Sequence, residues 1–143
     1  MCLSLILEIS FFSTGVVTSA NYPNNYPNNL ERTEMIEVEQ ELILSLAFSA
    51  FDIHSSGSCN DHLTITDGDG TTLMEKSCGS SLPAAITSIT NMIKLHFSTD
   101  GSDTSTGWNL SWTAVTTGEC QHNVWINSSI FNNFTVCEHL NIP

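Results

Sequence analysis

The sequence predicts an all-β fold, a two-layer antiparallel β-sandwich, on three observations. Apolar and polar residues alternate over short runs, Gly, Asp and Ser turns separate those runs, and no stretch carries a convincing helical period. The first element, Val16-Val17-Thr18, lies within a segment from Gly15 to Leu30 that cannot be helix. Two Asn-Tyr-Pro units there fix φ at Pro23 and Pro27, and each proline pushes the preceding Tyr22 or Tyr26 toward extended geometry. The pairs Asn24-Asn25 and Asn28-Asn29 tolerate turns and bond their own backbone, so a bend is expected after each proline. A long connection then crosses to the next strand.

From Gln40 the period of two is clear. Leu42, Leu44, Leu46 and Phe48 point one way, and Ile43, Ser45, Ala47 and Ser49 the other, as in a half-buried strand. Ser55-Ser56-Gly57-Ser58 breaks it, and His62-Leu63-Thr64-Ile65-Thr66 alternates again. Asp67-Gly68-Asp69-Gly70 predicts a tight hairpin turn into Thr71-Thr72-Leu73-Met74, because such turns need positive φ. After Pro83, Ile86 and Ile89 lead to Ile93, Leu95 and Phe97, with His96 facing outward between the last two. A final strand places Trp108, Leu110, Trp112 and Ala114 on one face and Asn109, Ser111 and Thr113 on the other.

The 143 residues suit one domain plus a short appendage. Three Lys+Arg against fifteen Asp+Glu give a formal charge of -12, which disfavours nucleic acid or an anionic membrane as partner. Such a surface suits cations: calcium, or basic residues of another protein. No window offers the ~18 uninterrupted apolar residues of a spanning helix. Residues 1–7 are an uncertain N-terminal segment. The apolar stretch Met1 to Phe12 reads either as a poor signal peptide, interrupted by Glu8, or as a strand in a chain cut from something longer, and we favour the latter. Residues 116–143 change in texture: Thr116-Thr117-Gly118 reads as a linker. Cys120 and Cys137 then bracket a tail, which either packs on the sandwich or begins a further module.

Sequons at Asn109, Asn127 and Asn133 favour a secretory route. In an oxidising compartment the sequence-adjacent disulfides are Cys59 with Cys78 and Cys120 with Cys137, leaving Cys2 odd; other connectivities stay open. Other constellations fail as sites. Asp67-Gly-Asp69-Gly70 starts like a calcium-binding helix-loop-helix but has Cys78 at position twelve, so it is a turn. Cys120-Gln-His122 and Cys137-Glu-His139 match no common zinc spacing. No nucleophile elbow, His-Glu-X-X-His or phosphate-cradling loop is present, and the histidines and serines single out no triad.

In order and spacing, these features resemble the CUB domain, an extracellular, jelly-roll-like two-layer β-sandwich. The matching residues begin with Gly15-Val-Val-Thr-Ser-Ala-Asn-Tyr-Pro, Tyr26-Pro27-Asn-Asn-Leu, Phe51-Asp52-Ile53 and Cys59-Asn60-Asp61-His62-Leu63-Thr-Ile-Thr-Asp67-Gly68. They continue with Cys78-Gly79, Pro83, Phe97-Ser-Thr-Asp100-Gly-Ser102, Gly107-Trp108, Trp112 and Ala114, so that residues 8–115 form the CUB-like domain. The chain departs from the family pattern twice. The usual first disulfide is missing, with Arg32 where its second cysteine would stand, whereas Cys59 and Cys78 match the second bridge. The resemblance also implies a calcium site at Asp61, Asp100 and Ser102, in which His54 replaces the usual glutamate. Asp52 is a possible compensating carboxylate, and the alternative is that Asp61 and Asp100 only cap turns.

The expected function is that of a non-catalytic extracellular protein-binding module, secreted or part of a cell-surface ectodomain. Asp61, Asp100 and Asp103 would receive a partner's lysine. Two alternatives stand beside it: an accessory substrate-recognition domain of a secreted multidomain protease, and a glycan-binding sandwich that uses Tyr22, Tyr26 and other aromatics.

Overall fold

A computed structural model describes residues 13–116, which form eight strands and no helix. The strands are β1 (Thr14–Thr18), β2 (Glu31–Glu37), β3 (Leu42–Asp52), β4 (His62–Asp67), β5 (Thr72–Ser77), β6 (Ile86–Thr87), β7 (Met92–Ser98) and β8 (Gly107–Thr116). They make two four-stranded antiparallel sheets, β1-β8-β3-β6 (sheet A) and β2-β7-β4-β5 (sheet B). The two-layer antiparallel sandwich expected from alternation is therefore the fold. Residues 1–12 and 117–143 lie outside the described part, and with them the Cys120 and Cys137 pairing, the sequons at Asn127 and Asn133, and Cys2.

The period of two explains the core. Leu44 and Leu46 of β3, Leu63 and Ile65 of β4, Ile93, Leu95 and Phe97 of β7, and Trp108, Leu110 and Ala114 of β8 are all buried. Their intervening neighbours face outward, so each strand contributes one apolar face to the space between the sheets. A bulge between Phe48 and Ala50 shifts the register of β3 against β8, so that Phe51 and then Ile53 turn inward. Asn109 lies on the outer side of β8, between Thr18 and Ala50 of its neighbours.

Strand β2 carries little of this apolar alternation. Its sequence ERTEMIE buries only Ile36, since it is an edge strand with one neighbour and charged residues along its exposed side. The strand completes sheet B where the sequence suggested only a long connection. Two glycines of the matching motifs have steric reasons. A Cβ on Gly15 would fall 2.5 Å from the Trp112 ring. Gly107 has φ of +85°, and a Cβ there would meet the Ser19 hydroxyl, which accepts the Trp108 N–H at 3.0 Å.

Candidate functional site: an acidic loop end built on Tyr26

Three connections meet at one end of the sandwich: residues 19–30 between β1 and β2, 53–61 between β3 and β4, and 99–106 between β7 and β8. The Tyr-Pro segment holds the last of these. The Asn29 N–H donates to the Asp100 carbonyl at 2.7 Å, the Tyr26 N–H to Ser105 at 3.2 Å, and Asn25 and Asn28 donate side-chain amide hydrogens to Thr104 and Gly101. Asn29 and Asn21 adopt positive φ, whereas Asn24 and Asn25 do not. The first bend therefore runs through Pro23 to Asn24, as a turn across a cis Tyr22–Pro23 bond closed by Asn24 N–H to Asn21 carbonyl.

Tyr26 is 1 % exposed and serves two purposes. Its ring packs edge-on against Phe97, which in turn meets Trp108 edge-on. Its hydroxyl donates to Asp61 Oδ2 at 2.7 Å and accepts the His54 N–H at 2.9 Å. Burial raises the pKa of the phenol, the His54 N–H works against that rise and Asp61 adds to it, so the hydroxyl stays a proton donor. The other oxygen of Asp61, itself 2 % exposed, accepts the Asp100 N–H at 2.7 Å. Tyr26, His54, Asp61 and Asp100 thus form one connected network. Asp61 is delivered to it by the Cys59–Cys78 disulfide and by the paired Ile53 and Gly79 backbones that fold the β3–β4 connection back.

The Asp100 carboxylate is the open end of this network. Its Oδ1 accepts the Ser102 N–H at 2.8 Å and the Ser102 hydroxyl at 3.4 Å. The Ser102 N–H holds the carboxyl below its ordinary value against a smaller desolvation effect, with further help from the Asn60 side chain, the Ser102 hydroxyl and the charge of His54. Asp103 follows, exposed, with φ of +49°. Asp52 does not join, because its Oδ2 accepts the Thr106 hydroxyl at 3.1 Å beside the β3–β8 ladder.

Asp61, Asp100, Ser102, Asp103 and His54 thereby lie on the three connections at one end. Sequence reasoning missed Tyr26, which looked like a surface aromatic, and Asn60. Among the described residues no group of three or more His, Cys, Asp and Glu side chains is arranged to hold a metal ion. For calcium the donor chemistry nonetheless fits in kind, since Asp61, Asp100 and Ser102 offer hard oxygens. Two carboxylates and an imidazole make a reduced set.

The family pattern of the CUB domain matches residues 9–112. The chain belongs to the CUB domain family. It is 36% identical over 116 residues to an astacin-like metalloendopeptidase of Gallus gallus, a match that covers 78% of this chain and 27% of that protein. Against cubilin of Rattus norvegicus it is 34% identical over 122 residues, 83% of this chain and 3% of cubilin. Among solved structures, the MASP-1 CUB2 domain bound to Ca2+ superposes with a TM-score of 0.64 at 31% identity, over 69% of this chain and 90% of that one. The CUB1-EGF-CUB2 region of human MASP-1/3 gives 0.66 at 31% identity, over 71% and 39%. The chain thus spans a small part of the curated relatives it matches. CUB domains are in general protein-interaction modules of extracellular proteins. Among the described residues no helix is long and apolar enough to cross a membrane.

Proposed function

We propose that this chain is a non-catalytic extracellular binding module that docks a partner protein through its acidic loop end. One observation carries the reading: Asp61 and Asp100, 39 residues apart in sequence, are locked together by a charge-assisted hydrogen bond, with the Asp100 carboxylate turned outward. A lysine ammonium from a partner would meet the Asp100 carboxylate beside Asp103. Both loops are already fixed by Tyr26 and Ser102, so little ordering entropy opposes the contact. Asp61, Asp100 and Ser102 would hold calcium when it binds, and the ion would supply charge neutralisation and a further tie between two loops. The set carries two carboxylates, which suits the ~10⁻⁴–10⁻³ M affinities of extracellular calcium modules.

Calorimetric titration of the disulfide-intact protein with calcium tests this, with Asp61→Ala and Asp100→Ala as controls. Heat and a raised melting temperature at millimolar calcium, both lost in the controls, are expected. No heat and an unchanged melting temperature would end the metal part of the reading. A second reading, an accessory substrate-recognition domain of a secreted protease, is favoured by the likeness to the astacin-like metalloendopeptidase. A catalytic His-Glu-X-X-His in flanking gene sequence would decide for it. In the glycan-binding alternative Tyr26 has no part, because its ring lies inside the core, and Tyr22 is left half-buried at the surface. The Asn109 sequon, on the outer face of sheet A, is proposed as a glycosylation site, checked by a mass shift on enzymatic deglycosylation that Asn109→Gln abolishes.

A further inference from the structure

The cations of this chain are not scattered. All three Lys and Arg residues, Arg32, Lys76 and Lys94, lie on strands of sheet B, together with His62 and His96, whereas the four strands of sheet A carry a single charged residue, Asp52. Arg32 alternates away from the outer side of β2. Both lysines, by contrast, line a shallow hollow of about 500 Å³ on the outer face of sheet B, with His62 and His96. The single carboxylate of that hollow, Glu31, is already engaged: it accepts the Ser98 hydroxyl at 2.5 Å and lies 3.2 Å from His96 Nε2. His96 Nδ1 is 3.1 Å from the Thr33 hydroxyl, and His62 Nδ1 donates to the Asn60 carbonyl. Lys76 and Lys94 have no hydrogen-bond or ion-pair partner among the described residues. In a chain with fifteen carboxylates and three cations, both ammoniums are thus left unpaired among the described residues.

We infer that the outer face of sheet B is a second docking surface, which takes a short acidic polypeptide segment whose carboxylates pair with Lys76 and Lys94. The register sets the spacing. Lys94 stands beside Thr66 on β7, and Lys76 lies on β5 level with Thr64, so the two stems are two strands, about 10 Å, apart across the sheet and about 7 Å offset along it, roughly 12 Å in all. An extended peptide presents side chains of one face about every 7 Å, and the flexible lysine stems take up the difference. The hydroxyls of Thr64 and Thr66 between them can donate to the same carboxylates. Charge complementarity favours a short segment over a polysulfated chain. A long polyanion would run off this patch into the field of a protein carrying a formal -12, while a short segment ends within it. The hollow borders the loop end through His62 and Ser98, but its two lysines lie farther along β5 and β7 and carry the opposite charge, so the two sites can be occupied together.

The test is fluorescence anisotropy of a labelled peptide containing Glu-Gly-Glu, titrated with the full chain in about 50 mM salt, where surface charges are weakly screened. We expect saturable binding that the double variant Lys76→Gln/Lys94→Gln weakens on the order of tenfold or more, with the melting temperature unchanged. Lys76→Arg/Lys94→Arg should restore it, and Asp100→Asn should leave it as in the wild type, which separates this surface from the loop end. Equal binding by the Gln double variant overturns the proposal. A heparin oligosaccharide that binds more tightly than the peptide, with the same lysine dependence, overturns the choice of a polypeptide partner.

Discussion

Strand β4 has a buried aspartate at each end, Asp61 just before it and Asp67 as its last residue, exposed by 2 % and 3 %. They are satisfied in different ways. Asp67 is enclosed by two connections: its Oδ2 accepts the Ile89 N–H at 2.5 Å, and its Oδ1 accepts the N–H groups of Gly68 and Thr90 together with the Thr90 hydroxyl. Every donor comes from the β4–β5 turn or the stretch leading into β7, and no outward carboxylate continues the network. Among the described residues Asp61 has two donors, Tyr26 and Asp100, and the second belongs to a residue that carries its own half-exposed carboxylate. A carboxylate saturated by backbone N–H groups is a structural clamp, and one shared between a core phenol and a second acid is a support for something outside. The comparison explains why two similar Asp-containing motifs in one short strand serve different ends.

The largest effect should come from breaking the saturated end. Asp67→Ala leaves several buried donors without an acceptor and should cost about 3 kcal/mol, read as a lower denaturant midpoint with an unchanged slope. At the other end Tyr26→Phe keeps the ring packing while removing the donor to Asp61 and the acceptor for His54, so a smaller loss of about 1–2 kcal/mol is expected. If Tyr26→Phe proves more costly than Asp67→Ala, the assignment of clamp and support is reversed.

Acid should sharpen the contrast. Burial pushes the Asp67 carboxyl up, but the donors from Ile89, Thr90 and Gly68 together outweigh it and hold the group below its ordinary value. A carboxyl depressed in the folded state contributes stability that is fully present above its unfolded pKa, near 3.9, and is lost as pH falls through the folded value. Melting temperatures of wild type and Asp67→Asn should therefore differ most above about pH 4 and converge below it. The smallest stability effect is expected for Asp100→Asn, whose side chain faces outward. Its melting temperature without calcium should stay close to that of the wild type while the calcium-induced shift disappears.

Much of this architecture was legible in the sequence because apolar alternation reports directly on burial. The strands containing Leu44, Ile65, Leu95 and Leu110 were read with the correct inward faces. Strand β2 was not, because an edge strand alternates Glu and Thr where a central one alternates apolar side chains. The order of strands in each sheet was equally hidden, since pairings such as β1 with β8 join residues far apart in the chain, from Thr14 with Thr113 to Thr18 with Asn109. At the loop end, motif order located Asp61 and Asp100. Tyr26 was hidden because a tyrosine before proline signals backbone geometry and says nothing of where the ring goes. The Asp67-Gly68 turn was foreseen, but the donors from Ile89 and Thr90 were not: they arrive from another connection. The lysine face escaped notice for the same reason, since its residues come from strands far apart in the chain.

Arg32 occupies the place of a cysteine that the family pattern would pair with one near the start of the domain. Its guanidinium pairs with Glu34 and donates to the Thr18 carbonyl at 3.4 Å, so it reaches from β2 of one sheet to β1 of the other. At that corner a bond that answers to the redox state of the compartment has given way to one that answers to ionic strength. Reducing agents act on the described residues only through Cys59 and Cys78, next to the loop end. Salt loosens the Arg32–Glu34 pair, which holds the guanidinium against the Thr18 carbonyl at that same end of the sandwich.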